Sequence, residues 1–172
     1  SFQITSIFHD FTVLDNVALA VQAQAGHSFR FWRDARRQRE LRDPAMAALA
    51  VVDLSARAGD IAAALSHGEH RQLEIAMALA TRPNVLLLDE PMAGMGPEES
   101  HRLVGTLHGF KGRLATLLVE HDMEAVFALA DRITVLVYGR VIATGTPDQI
   151  RSNPDVRQAY LGEEMPGGIG HG

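Results

Sequence analysis

Cysteine is absent from the 172 residues, which excludes a disulfide framework, a thiol nucleophile and any cysteine-ligated metal. Lysine is nearly absent: of the 16 basic residues only Lys111 is a lysine, and the rest are arginines. Gly112-Arg113 follow it and no glycine-rich loop precedes it, so the phosphate-cradling pattern G-x-x-x-x-G-K-[ST] is missing. No apolar run reaches the roughly 18 residues that span a bilayer. Positive charge is in deficit: 16 basic against 21 acidic residues leave −5 at pH 7. That balance argues against a nucleic-acid binder that works by neutralising phosphates. What is present is ordinary for a globular chain. With 47% hydrophobic and 22% charged residues, wholesale disorder is excluded, and the length suits one domain or a large part of one.

The organisation changes along the chain. Asp15 is placed to cap a helix, with Leu14 and Leu19 as the staple around it and Val17, Val21 and Gln24 following at helical spacing. Phe31 to Leu54 is helical in composition, with a break expected at Asp43-Pro44. Ser66 opens a helix whose inner face is Leu73, Ala76, Met77 and Ala80. The apolar run Val85-Leu86-Leu87-Leu88, bounded by Pro83 and Pro91, reads as a strand buried on both faces of a parallel sheet, with partner strands upstream. Pro97 starts a helix with Leu103, Val104 and Leu107 as its stripe. Leu114 to Val119 is a second buried strand. Asp122 caps a helix bearing Met123, Val126, Phe127 and Ala130. Ile133–Val137 and Val141–Thr144 flank Tyr138-Gly139-Arg140 as a tight hairpin. Thr146-Pro147 opens a final helical stretch to about Leu161, and the Gly-rich tail is expected to be disordered.

Three short stretches carry chemistry. Asp89-Glu90 close the first buried strand, where open α/β sheets bind their ligands. Asp89 is placed to hold a hard cation such as Mg²⁺, and Glu90 to polarise a water; equally, the pair reads as acids that end a strand and cap the next element. Leu65-Ser66-His67-Gly68-Glu69 contains an S-x-x-E capping box, worth about 1 kcal/mol. Gly68 costs about 1 kcal/mol against alanine in that first turn, yet leaves the helix N-terminus bare for an anion. Glu120-His121-Asp122 end the second strand, which puts His121 on the same sheet edge as Asp89-Glu90. A satisfied structural histidine is the other reading.

In this order the three stretches make nearly the whole chain resemble the ATP-binding subunit of ABC transporters. Gln3 resembles the Q-loop glutamine, Leu65–Glu69 the signature sequence and Val85–Glu90 Walker B, while Met95-Gly96 falls at the D-loop and His121 matches the switch histidine. Similarity to the importer branch for branched-chain amino acids and related polar solutes rests on three segments: Phe2-Gln3, Pro91-Met92-Ala93-Gly94-Met95-Gly96-Pro97-Glu98-Glu99 and Val119-Glu120-His121-Asp122-Met123. The signature departs from the usual LSGGQ at His67 and Glu69, and the D-loop lacks its aspartate. Walker A and the family's adenine-stacking aromatic are missing. The fold implied is α/β: the C-terminal half of a mainly parallel P-loop NTPase-type sheet with flanking helices, plus an N-terminal α-helical subdomain. Its expected parts are residues 1–83 (Q-loop, helical subdomain, signature helix), 84–162 (Walker B, D-loop, switch histidine) and a disordered tail, 163–172.

The resemblance implies an ATPase subunit of an importer at the cytoplasmic face of the inner membrane. Its partners would be a second ATP-binding subunit, transmembrane permease subunits and, indirectly, a periplasmic solute-binding protein, with no nucleic acid. ATP with Mg²⁺ would lie between two subunits. The signature residues Leu65, Ser66, His67, Gly68 and Glu69 would face it in trans, with Ser66 and Gly68 on the γ-phosphate. Asp89 and Gln3 would assist the metal, Glu90 would activate water, and His121 would contact the γ-phosphate. The three stretches are thus expected on one rim, around a triphosphate whose cradle lies outside this sequence. Phe29 to Arg42, with six arginines among Phe29, Phe31 and Trp32, reads as a solvated helical face or as a surface docking to membrane subunits or anionic lipid. The alternative to a catalytic subunit is a non-catalytic truncated ABC domain that acts as an interaction module. Without the P-loop lysine and amides, the 172 residues alone are expected to release no phosphate from MgATP; saturable, Mg²⁺-dependent release from the pure chain contradicts this.

Overall fold

The computed structural model describes residues 7–24 and 35–161. They form two compact units, divided between His121 and Asp122. The boundary expected after residue 83 therefore falls inside the first unit. Gln3 with its neighbours Phe2 and Ile4, the aromatic part of the arginine-rich stretch and the Gly-rich tail lie outside the described residues.

The first unit opens with helices α1 (Val13–Gln24), α2 (Ala35–Val51) and α3 (His67–Ala80), each of which contacts the other two. Their shared core is Val13, Leu14, Val17 and Val21 from α1, Ala45, Ala48 and Leu49 from α2, and Leu73, Ala76 and Met77 from α3. The face expected for α3 is thus the one buried. Two details of the helical region differ from expectation. α1 starts three residues earlier than a cap at Asp15 implied, because the Thr12 hydroxyl accepts the Asp15 N–H at 3.0 Å; Asp15 sits in the first turn. α2 runs through Pro44 without ending there. Pro44 forfeits the bond to the carbonyl of residue 40, a loss that solvent covers at exposed Glu40. The buried stripe Ala45, Ala48, Leu49 and, just past the helix end, Val52 holds the helix on.

Between α1 and α3 the backbone is tied down locally. Short 3-10 turns cover Ser55–Arg57 and Ala62–Ala64, and Val13 and Leu14 donate to the Asp60 and Ala58 carbonyls at 2.9 and 3.0 Å. Asn16, wholly buried, pins the segment before α1. Its Oδ1 accepts the Phe8 N–H at 2.8 Å, and its Nδ2 donates to the Phe8 carbonyl at 3.0 Å.

Strands β1 (Val85–Asp89) and β2 (Ala115–Val119) pair in parallel, Leu87 opposite Leu117 and Asp89 opposite Val119, joined by α4 (Pro97–His108). Pro97 occupies the first turn of α4 as expected, and Leu103 and Leu107 are buried. The strands are not buried on both faces. Leu86 is covered, but Val85, Leu87, Leu117 and Val119 are each more than half exposed. Among the described residues β1 and β2 pair only with each other, so side-chain alternation leaves one apolar face open.

The second unit holds α5 (Met123–Leu129), the antiparallel hairpin β3 (Ile133–Val137) and β4 (Arg140–Gly145), then α6 (Pro147–Ser152), α7 (Pro154–Val156) and a π-turn, Arg157–Leu161. Asp122 caps α5 as expected, its Oδ1 accepting the Glu124 and Ala125 N–H groups. Tyr138 and Gly139 have φ of 47° and 75°, the paired positive values of a type I′ turn. The final helical stretch is interrupted at Asn153, because Pro154 disfavours helix in the residue before it. Asn153 Oδ1 instead accepts the Asp155 and Val156 N–H groups. Ile133, Val135, Ile150 and Val156 form the core, with Val126, Phe127 and Ala130 packed on it.

Replacing Asn16 by alanine strands both polar groups of Phe8. We expect a loss of about 1–3 kcal/mol, read from the urea midpoint; an unchanged midpoint would show that the segment is held by something else.

Candidate functional site

The ends of β1 and β2 bring Glu90 and His121 together. His121 Nδ1 lies 3.5 Å from Glu90 Oε1 and 3.8 Å from Glu120 Oε2. Both the imidazole and the Glu90 carboxylate face solvent, at 72% and 53% exposure, whereas the Glu120 side chain is 1% exposed. Parallel pairing explains the meeting: the strands end in register at Asp89 and Val119, so the next residues of each leave the sheet side by side.

Glu90 adopts φ 43°, a left-handed conformation that costs a residue other than glycine about 1–3 kcal/mol and persists only where neighbours impose it. Those neighbours are visible. The Glu90 N–H donates to the Val119 carbonyl at 2.8 Å. From α3, Arg71 Nη2 donates to the Asp89 and Glu90 carbonyls at 2.9 and 3.1 Å, while its Nη1 pairs with Glu74 at 2.7 Å. Pro91 and Met92, immediately after, are buried. The Asp89 side chain is left exposed at the strand end, a hard oxygen donor open to a cation. Among the described residues no three His, Asp or Glu side chains gather as a metal cage. Mg²⁺ held by one or two carboxylates plus phosphate oxygens needs none.

The signature-like residues border a cavity of their own in the first unit. Ser66, Gly68 and Glu69 line a cavity of about 330 Å³ together with Asp53, Met95, Glu99 and others, and neither Glu90 nor His121 borders it. Glu90 and His121 meet at the strand ends, and Arg71, five residues after Ser66, reaches the same β1 end from α3. The capping box is formed as expected, Ser66 Oγ accepting the Glu69 N–H at 3.3 Å and Glu69 Oε2 the Ser66 N–H at 2.7 Å. Leu65 is buried. His67 lies over Gly94, where a Cβ would come within 3.0 Å of its ring and where φ is +74°.

Two features of the signature could not be read from the chain. The first turn of α3 is not bare. A Cβ on Gly68 would meet the Glu99 carboxylate at 2.9 Å, so the missing side chain makes room for an acid of α4. That acid also accepts the Gly96 N–H at 3.2 Å. Glu69 is an ion-paired residue: its Oε1 takes Arg57 Nη1 at 2.6 Å. Arg57 also pairs with Asp60, and that hydrogen bond first, then the charges of Glu69 and Asp60, hold its guanidinium above the usual arginine value.

Sequence reasoning missed Arg71 and Glu120 as well. Arg71 reaches the Asp89 and Glu90 carbonyls and Glu120 the Met92 N–H, backbone groups of distant segments that leave no local pattern. Of the arginine-rich stretch, Arg39 and Arg42 are exposed on α2, which a solvated face and a docking surface require alike.

Comparisons with known proteins identify the family. The family model described as ABC transporter matches residues 1–93, and that described as branched-chain amino acid ATP-binding cassette transporter matches residues 140–165. The chain belongs to the ABC transporter ATP-binding family. It is 38% identical over 170 residues to the high-affinity branched-chain amino acid transport ATP-binding protein BraF of Pseudomonas aeruginosa, covering 95% of this chain and 67% of that protein. LivG of Escherichia coli, with the same description, is 39% identical over 175 residues at the same coverage. A crystal structure of the ADP conformation of an ATP-binding cassette of an ABC transporter superposes with TM-score 0.71 at 27% identity, over 90% of this chain and 64% of that one. The chain thus spans about two thirds of the relatives it matches, and its fold is that of the P-loop NTPase-type cassette. Among the described residues no helix is long and apolar enough to cross a membrane.

Arg71→Ala removes the donor that holds both carbonyls of the strained turn. We expect about 1 kcal/mol of lost stability, Arg71 being a third exposed, and Arg71→Lys to recover little of it, because a lysine lacks the two-pronged fork. Thermal melts of the three proteins decide this; full recovery by lysine would mean that charge alone matters.

Proposed function

We propose that these residues form the Walker B, signature and switch portion of an ATP-hydrolysing subunit of an importer for branched-chain amino acids or similar polar solutes. The solute class rests on the names of the relatives and the branch model at the C-terminal side. The observation that carries the catalytic reading is the 3.5 Å approach of Glu90 to His121 across the ends of two parallel strands.

The substrate is ATP with its Mg²⁺. Phosphoryl transfer asks the protein mainly to position groups and neutralise charge. Glu90, half exposed at the rim, orients or deprotonates the attacking water. His121 beside it contacts the γ-phosphate. Asp89 offers the metal an oxygen, and Gln3, outside the described residues, is the second candidate for that duty. Ser66 and Gly68 serve the nucleotide of a facing second subunit, in keeping with their lining a cavity that Glu90 does not border. Glu99 has to leave the first turn of α3 before a phosphate can approach it, since the two anions would compete for the same helix dipole. Permease subunits in the membrane receive the work, and a periplasmic binding protein delivers the solute to them, with this subunit peripheral on the cytoplasmic side.

The test uses the protein as its gene encodes it. Glu90→Gln is expected to keep MgATP binding and to lower turnover by about 10²–10⁴, the usual weight of a general base. A parent protein without Mg²⁺-dependent ATPase activity, or a Gln variant that turns over like the parent, would reject the reading.

A further inference from the structure

Glu120 is a carboxylate with almost no contact with water, at 1% side-chain exposure. Burying an ionised acid is costly unless hydrogen bonds replace its hydration. Here its two oxygens serve two different turns. Oε1 accepts the Met92 N–H at 3.0 Å, two residues past Glu90. Oε2 accepts the His121 N–H at 3.1 Å. Met92 is itself buried, and the peptide it follows is Pro91, which has no N–H to offer. The Met92 amide is thus the first donor after the left-handed Glu90 that a neighbouring strand end can grip. On the other side of that residue, Arg71 and Val119 hold its carbonyl and its N–H.

We propose that Glu120 is a positioning residue: one buried carboxylate clamps the turn that carries Glu90 to the turn that carries His121, and so sets the distance between them. This rests on the catalytic reading of those two residues. A glutamine fits the same space but has a single acceptor oxygen, and its NH₂ would face an N–H. It can satisfy one turn, not both. Aspartate keeps two acceptors on a shorter stem.

The experiment compares the gene-encoded protein with its Glu120→Gln and Glu120→Asp variants by backbone amide exchange and steady-state ATPase kinetics. With Glu120→Gln, exchange at Met92 or His121 is expected to quicken at least about tenfold relative to Leu73 and Ala76 in α3. At the same time kcat falls about 10- to 100-fold, as misplacement by an ångström does, with KM for MgATP little changed. Glu120→Asp is expected to recover part of kcat. Unchanged exchange at both amides refutes the clamp. Quicker exchange with kcat intact, or a loss confined to KM, refutes its part in positioning. A parent protein without ATPase activity overturns the catalytic reading instead, and exchange at the two amides then judges the clamp alone. Should Glu120→Gln fail to fold, Glu120→Asp is read alone: quicker exchange at Met92 or His121 together with a lower kcat supports the clamp, because the shorter stem loosens its grip, and exchange and kcat both as in the parent refute it.

Discussion

The turn after β1 is where this structure spends strain. A glutamate held at φ 43° is stable only because its own N–H, its carbonyl and the amide two residues on are each bound by a different element: β2, α3 and Glu120. Relax any of these and the backbone gains by returning to an ordinary conformation. The Glu90 carboxylate is thereby aimed by contacts to its backbone, and its side chain stays open to solvent. Arg71 makes α3 one of the supports of that turn, so the helix that Ser66 opens bears on the end of β1.

Much of this architecture could be read from local chemistry. Pro97 and Pro147 sit in the first turns of α4 and α6, Ser66 and Glu69 close their capping box, and Tyr138-Gly139 makes the hairpin. Each is a short-range rule that needs only neighbours three or four residues away. Where two such rules compete the reading slips: Thr12 and Asp15 are both good caps three apart, and the hydroxyl wins. Pro44 misleads because the buried face of α2 outweighs one lost backbone bond.

What stays illegible is long-range. Val85 to Leu88 looks the same in a strand covered on both faces and in one covered on a single face, because coverage is a property of neighbours and not of the run. Gly68 reads as an opening at a helix end, but the space it leaves is taken by Glu99, 31 positions further along the sequence numbering. Asn16, Arg71 and Glu120 bind backbone atoms, which have no sequence signal of their own. The meeting of Glu90 with His121 is legible, since parallel strands in register deliver their trailing residues to one edge.

The pairing of Arg57 with Glu69 has a further consequence for how this signature would tolerate change. With an acid in the fifth place, the local electrostatic neutrality of the α3 entrance depends on a loop 12 residues upstream. A substitution that removes the guanidinium would leave the helix fold and its cap in place while adding one uncompensated negative charge there. Losing the arginine would therefore cost less beside an amide at position 69 than beside the acid, though Asp60 loses its partner either way.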